Sequence, residues 1–338
     1  MDYISGEILT EEGLKKGYVG FEGEKILEQG KSSLPKKPLC KGLIVPSFVN
    51  AHTHIGDSFI KDKITNLPRD VEKLVAPPNG LKHKLLKNAD GEDIIEGMEK
   101  SIDIMLKNGV GHFCDFRENG IRGICQMKSA MEHWSISSTI LSRPKDLTYD
   151  KDEISLLLKN SHGVGLSALS DWEYDNLEKI SRHTKKEKKI FAIHASERIR
   201  EDIDKILDLK PDFLIHMVKA SESDLIRVKD NNISIVLCPR SNSFFGLKAD
   251  FKMMKQIEVK LMLGTDNAMI NSPSVLDEIR FLKVANNVFS IEELLNMSTF
   301  TPRKVLNLSP CILGANSPAD FVVLDKKTLK ILYVSRVR

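Results

Sequence analysis

Eight times between residues 45 and 264 the chain passes through a short apolar run. The runs are Val45 to His52, Val110 to Phe116, Ile136 to Ser142, Val164 to Ser167, Ile190 to His194, Phe213 to Val218, Ile233 to Cys238 and Val259 to Gly264. Amphipathic stretches lie between most of them. Ile94, Ile95, Met98, Ile102, Met105 and Leu106 recur at helical spacing, and Asn108-Gly109 stops that helix. Leu177 to Lys188 and Ile199 to Leu209 have the same character. Strands alternating with helices specify a parallel sheet covered by helices. Eight such units over roughly 260 residues predict a (β/α)8 barrel. A doubly wound open sheet is the alternative, but no glycine-rich phosphate loop follows the first run.

The two ends have a different style. Residues 1 to 45 alternate short apolar runs with glycines, and Asp320 to Asp325 and Ile331 to Val334 repeat the pattern. They predict a small β-sandwich domain built from residues 1–45 and 313–338, around a barrel at 46–312. The stretch from Phe59 to Leu86, with Pro68, Pro77, Pro78 and Gly80, reads as a long irregular loop. Such loops are usually functional. It is expected to cover the barrel mouth, with His83 facing the substrate.

Of the 338 residues, 41% are hydrophobic and 29% charged, and 50 bases against 47 acids leave a net charge of +3. No basic footprint for nucleic acid stands out. Lys185 to Lys189 is the densest basic run, and it closes a helix where lysines suit the dipole. No apolar stretch reaches the length of a membrane span. Met1 to Gly6 lacks the basic and apolar regions of a signal peptide. Cys40, Cys114, Cys125, Cys238 and Cys311 are scattered, and read as reduced thiols of a cytoplasmic protein. The expected partner is a small-molecule substrate, with no nucleic acid and no membrane; a homo-oligomer is left open.

Polar residues gather where the apolar runs end. His52 and His54 are two residues apart, so on a strand both imidazoles face one side. His194 and Glu197 close the fifth run, His216 the sixth, and Asp266 follows the eighth. In a barrel of this kind these ends share one mouth. A lone histidine at a strand end is ordinarily structural. Several aimed at one point are hard to explain as core filling, because buried ionisable groups are costly unless paired or bound to a metal. Arg117, Arg143 and Arg240 also follow strands, and arginine forks suit carboxylate and phosphate. They predict an anionic arm or polar sugar on the substrate, or else brace the rim through Asp115, Glu118 or Asp171.

The combination of His52-Thr53-His54, His194-Ala195-Ser196-Glu197, His216, Cys238-Pro239-Arg240-Ser241-Asn242, Thr265-Asp266 and the stretch from Ser317 to Asp325 resembles the amidohydrolase superfamily, in its deaminase and chlorohydrolase-type branch. The resemblance runs through nearly the whole chain. It implies one divalent metal ion, Zn²⁺ with Fe²⁺ or Mn²⁺ as alternatives, held by His52, His54, His194 and Asp266. It also implies that Asp266 takes a proton from an activated water, that Glu197 shuttles protons, and that His216 polarises the attacked carbon. Branches with two metals carry a bridging lysine at the end of strand four, and Gly163 to Ser170 contains none. One metal and deamination of an aminated heterocycle (a purine, pterin or nucleoside-like compound) are therefore expected. Hydrolysis of a ring amide, an imidazolone or a halide is the second reading, and a metal-binding protein without catalysis the third.

Overall fold

The computed structural model describes residues 1–31, 34–285 and 288–336. The remaining positions of the expected segments lie outside the described residues. The chain opens with β1 (Asp2–Thr10), β2 (Gly13–Glu22), β3 (Lys25–Gly30) and β4 (Cys40–Pro46). Alternating buried and exposed positions, as in β3, fit strands covered on one face.

After the single residue Ser47 the chain enters the barrel as β5 (Phe48–His54). The barrel continues with β6 (Val110–Arg117), β7 (Ser137–Ser142), β8 (Gly163–Leu166), β9 (Ile190–Ala195), β10 (Phe213–His216), β11 (Ser234–Leu237), β12 (Leu261–Leu263) and β13 (Asp266–Asn267). Neighbours pair in parallel from β5 round to β12, with register shifts in the β5–β6 pair. β12 and β13 are two parts of the eighth barrel strand. Asp266 pairs with Thr53 of β5, and the Thr265 amide donates to the His52 carbonyl at 2.9 Å, which closes the ring. A (β/α)8 barrel results, with a second sheet drawn from the chain ends. The predicted first strand was one run from Val45 to His52; instead the run divides at Ser47 between the two sheets.

Inside the barrel Val49, Ala51, Cys114, Phe116, Leu141, Ala192, Phe213, Ile215, Val236 and Met262 pack together. A larger apolar layer joins the barrel's outer face to its helices and takes in Leu43, Val45, Val322 and Leu324 of the terminal sheet. The long segment after β5 is not the structureless loop expected. It holds two helices, α1 (Val71–Leu74) and α2 (Leu81–Asn88). Asp70 caps the first of these through the Lys73 amide. The next helix, α3 (Gly91–Lys107), ends at Asn108 as its sequence predicts. The chain returns through β14 (Phe321–Leu324) and β15 (Ile331–Val334), giving the sheet order β15-β14-β4-β1-β2-β3. No helix among the described residues is long and apolar enough to cross a membrane.

Candidate metal centre and active site

Along β5 the inward side changes parity. Val49 and Ala51 belong to the barrel interior, yet His52 and His54 both face its mouth. The pairing with β6 slips between Asn50 and Thr53, and such a slip re-aims the residues beyond it. His194 near the end of β9 and Asp266 in β13 come to the same point. One ligand atom from each of His52, His54, His194 and Asp266 lies within 4.8 Å of the others. Nε2 of His52 is 3.2 Å from Nε2 of His194 and 3.3 Å from Oδ1 of Asp266. Nε2 of His54 is 3.6 Å from that same oxygen. Gly264 permits this approach, since a Cβ there would lie 2.7 Å from the His52 Cβ.

The electrostatics fit a cation. Burial lowers the pKa values of His52 and His194, and pushes His54 down to about 3, so the rings are neutral with lone pairs to give. The His194 Nδ1–H donates to the Leu166 carbonyl at 2.7 Å, which leaves Nε2 without a proton. Burial opposes ionisation of Asp266, but the His52 hydrogen bond and the neighbouring imidazoles hold its carboxyl well below the usual range. Ser241 donates to Asp266 Oδ2 at 2.6 Å and Asn267 to Oδ1 at 2.8 Å. Three imidazoles and a carboxylate converging in a buried pocket match the donors of a borderline divalent ion.

Beside this cluster Glu197, His216 and Asp266 form a second group. His216 Nε2 lies 3.5 Å from Glu197 Oε1 and 4.0 Å from Asp266 Oδ2. The Asn242 amide nitrogen serves two neighbours, with Glu197 Oε1 and His216 Nδ1 each at 3.2 Å. Burial raises the Glu197 pKa well above its ordinary value, reinforced by the charges of Asp266 and Asp171. Burial also keeps His216 neutral. A donor on Nδ1 leaves its proton on Nε2, towards Glu197 and the cavity.

Residues 43–336 match the Amidohydrolase family. The chain belongs to the amidohydrolase family. Family membership makes it a metal-dependent hydrolase of carbon–nitrogen bonds other than peptide bonds. This amidohydrolase is 36% identical over 326 residues to an uncharacterized protein of Methanocaldococcus jannaschii, across 90% of this chain and 81% of that one. It is 23% identical to 5-methylthioadenosine/S-adenosylhomocysteine deaminase of Pyrococcus abyssi, across 95% and 84% of the two chains. Helicobacter pylori aminofutalosine deaminase in complex with methylthio-coformycin superposes with a TM-score of 0.73 at 18% identity, covering 96% of this chain and 92% of that one. Atrazine chlorohydrolase of Arthrobacter aurescens complexed with zinc gives 0.74 at 15%, covering 96% and 87%. These two likenesses show the fold.

The cavity of this amidohydrolase is lined by His54, His194, Glu197, His216 and Asp266 at its base. Val71, Val75, Ala76 and Pro77 cover one side, so the segment after β5 does reach over the mouth. The expected substrate contacts divide. Arg143 lines the cavity, 11% exposed, and 3.9 Å from Glu118. Arg117 is buried between Asp115 at 3.3 Å and Glu118 at 2.7 Å, and is not a lining residue. Arg240 binds Glu278 at 2.6 Å and the Ser272 carbonyl at 2.6 Å, also away from the cavity. These two brace the rim rather than face a substrate. His83 is likewise turned from the mouth, with Nε2 2.9 Å from the Val75 carbonyl, while its neighbour Lys82 lines the cavity. The strand-end rule missed Lys82 because it sits on a helix. It named Glu118 only as a brace for the arginines, and close contacts to Lys82 and His54 place it beside the cluster as well.

Proposed function

We propose that this amidohydrolase removes ammonia from an aminated heterocycle, a purine, pterin or nucleoside-like compound. One observation carries the reading: the raised, hydrogen-bonded Glu197 carboxyl opens on the same cavity as His54, His194 and Asp266. His52, His54, His194 and Asp266 would hold one Zn²⁺, with Fe²⁺ or Mn²⁺ as alternatives. When bound, such an ion supplies Lewis acidity to water. The absence of a lysine from β8 and the residues after it, through Ser170, supports a single ion.

The chain's own groups supply the proton transfers. Glu197, kept protonated by its surroundings, donates to the ring nitrogen beside the attacked carbon. Asp266, kept ionised, accepts a proton from the attacking water, and Ser241 and Asn267 hold its two oxygens in place. His216 presents Nε2–H to the oxygen that becomes negative as water adds. Glu197, left ionised by that donation, takes the proton of the newly added hydroxyl and passes it to the departing amine; ammonia leaves as the ring carbonyl forms, and the proton on Asp266 returns to Glu197. The same groups would serve a ring amide, an imidazolone or a carbon–halogen bond. Ammonia release from a panel of aminated heterocycles, with metal content measured alongside, tests the reading. Halide release or ring opening without ammonia would replace it with the second.

A further inference from the structure

Lys82 lines the cavity and has no part in the proton transfers above. It is only 2% exposed, and its Nζ meets three oxygens. They are Glu118 Oε1 at 2.6 Å, Asn267 Oδ1 at 2.9 Å and Asp57 Oδ2 at 3.6 Å. A buried ammonium is costly unless its protons are taken. A lysine also donates only, and never accepts. That one-way character sets the direction of whatever is bonded to it.

Asn267 must turn its carbonyl oxygen to Lys82. Its amide nitrogen then faces away and donates to Asp266 Oδ1 at 2.8 Å. Glu118 receives Lys82 on Oε1 and Arg117 on Oε2, the latter at 2.7 Å. Its Oε1 also lies 2.9 Å from His54 Nδ1. A carboxylate held by two cations can only accept, so although neither Glu118 Oε1 nor His54 Nδ1 makes a well-aligned hydrogen bond, their 2.9 Å approach favours the His54 proton on Nδ1. The lone pair is left on Nε2, which faces Asp266. One hydrogen-bonded relay, Lys82–Asn267–Asp266, and one chain of close charged contacts, Lys82–Glu118–His54, thus start at one ammonium. They end on two of the four groups in the cluster. Outer partners of this kind orient metal ligands and tune their affinity.

We propose that Lys82 is a positioning residue of the metal centre, directing the Asn267 hydrogen bond and holding the Glu118 carboxylate against His54, and so setting the aim of His54 and Asp266. The inference rests on the reading of the four-residue cluster as a metal site. It is tested by zinc affinity, from competition with a chelator, and by the absorption spectrum of the cobalt-substituted protein. The unmutated protein is compared with Lys82→Met and Asn267→Leu. Each variant should bind zinc about 10- to 100-fold more weakly, with an altered cobalt spectrum. Asn267→Leu should cost less in the Lys82→Met background than alone, because the relay it cuts is already undirected. A folded Lys82→Met protein with unchanged zinc affinity and cobalt spectrum would overturn the proposal, since a merely structural lysine would lower stability only. Should Lys82→Met not fold, Asn267→Leu decides alone: it keeps the Lys82–Glu118 pair, and unchanged affinity there overturns the proposal too. An unmutated protein that binds no zinc would overturn the metal reading itself, an outcome distinct from the other two.

Discussion

The Leu166 carbonyl oxygen, at the end of β8, accepts the Nδ1–H of His194 at 2.7 Å. One strand's backbone thereby sets the ring of a residue on the next. The unprotonated Nε2 of His194 lies 3.2 Å from Nε2 of His52, which also meets Asp266 Oδ1 at 3.3 Å, so the three groups face a common point. One equivalent of divalent ion should copurify with the protein. His194→Ala should weaken zinc binding by at least about 100-fold and abolish turnover. Elemental analysis and chelator competition measure both, and two tightly held equivalents would contradict the single-ion site.

Glu197→Gln preserves shape and removes the acid. Metal content should be unchanged while kcat falls by at least about 100-fold, the ordinary contribution of general acid–base catalysis. A variant with full turnover would assign the proton transfers elsewhere.

Arg143 and Arg240 should separate in their effects. The Arg143 guanidinium borders the cavity with only a 3.9 Å approach to Glu118, so it is available to an anionic arm of a substrate. If such an arm exists, a carboxylate-bearing heterocycle will show higher kcat/KM than its neutral analogue, and Arg143→Ala will erase the difference. Arg240→Ala should leave that preference intact. It strands the fully buried Glu278, and the loss of one partner from a buried pair costs about 3 kcal/mol, seen as a lower Tm.

Asp224 gives the pH dependence a definite sign. Its carboxylate takes two hydrogen bonds from Arg200, at 2.7 and 2.8 Å, and one from the Ser221 amide at 2.8 Å. The Arg200 fork is the main cause that pulls its pKa from 3.8 down to about 2. A depressed carboxyl stabilises the fold above its unfolded pKa and ceases to do so as pH falls through the folded one. The stability difference between the unmutated protein and Asp224→Asn should be constant above pH 4 and shrink towards pH 2. Denaturant midpoints across that range check it, and a difference that grows on acidification would refute it.

The barrel was legible because its signal is periodic. Apolar runs buried on both faces, such as Val110 to Phe116, are long enough to read without knowing their neighbours. The convergence of His52, His54, His194 and Asp266 follows from the i, i+2 spacing of the first pair and the shared mouth of parallel strands, while the slip in β5 turns that pair inward. Lys82, Glu118 and Asn267 were not legible for a physical reason. Their partners lie 36 and 185 residues away along the chain for Lys82, and no local spacing encodes such pairs. For Arg117 and Arg240 the sequence left substrate contact and rim bracing both open. An arginine after a strand points towards the mouth or along the rim according to where a carboxylate waits. For Arg117 that was Asp115 and Glu118, and for Arg240 it was Glu278.

Ser47 is the only residue between β4 of the terminal sheet and β5 of the barrel. Its amide donates to Asp320, and Arg303 donates to both its carbonyl and its hydroxyl at 2.9 Å. A strand clamped in one sheet therefore runs, almost without slack, into the strand that carries His52 and His54. The arrangement is a short tether. The residue that joins the two sheets thus lies only five positions before His52, in the cluster that could hold a metal ion.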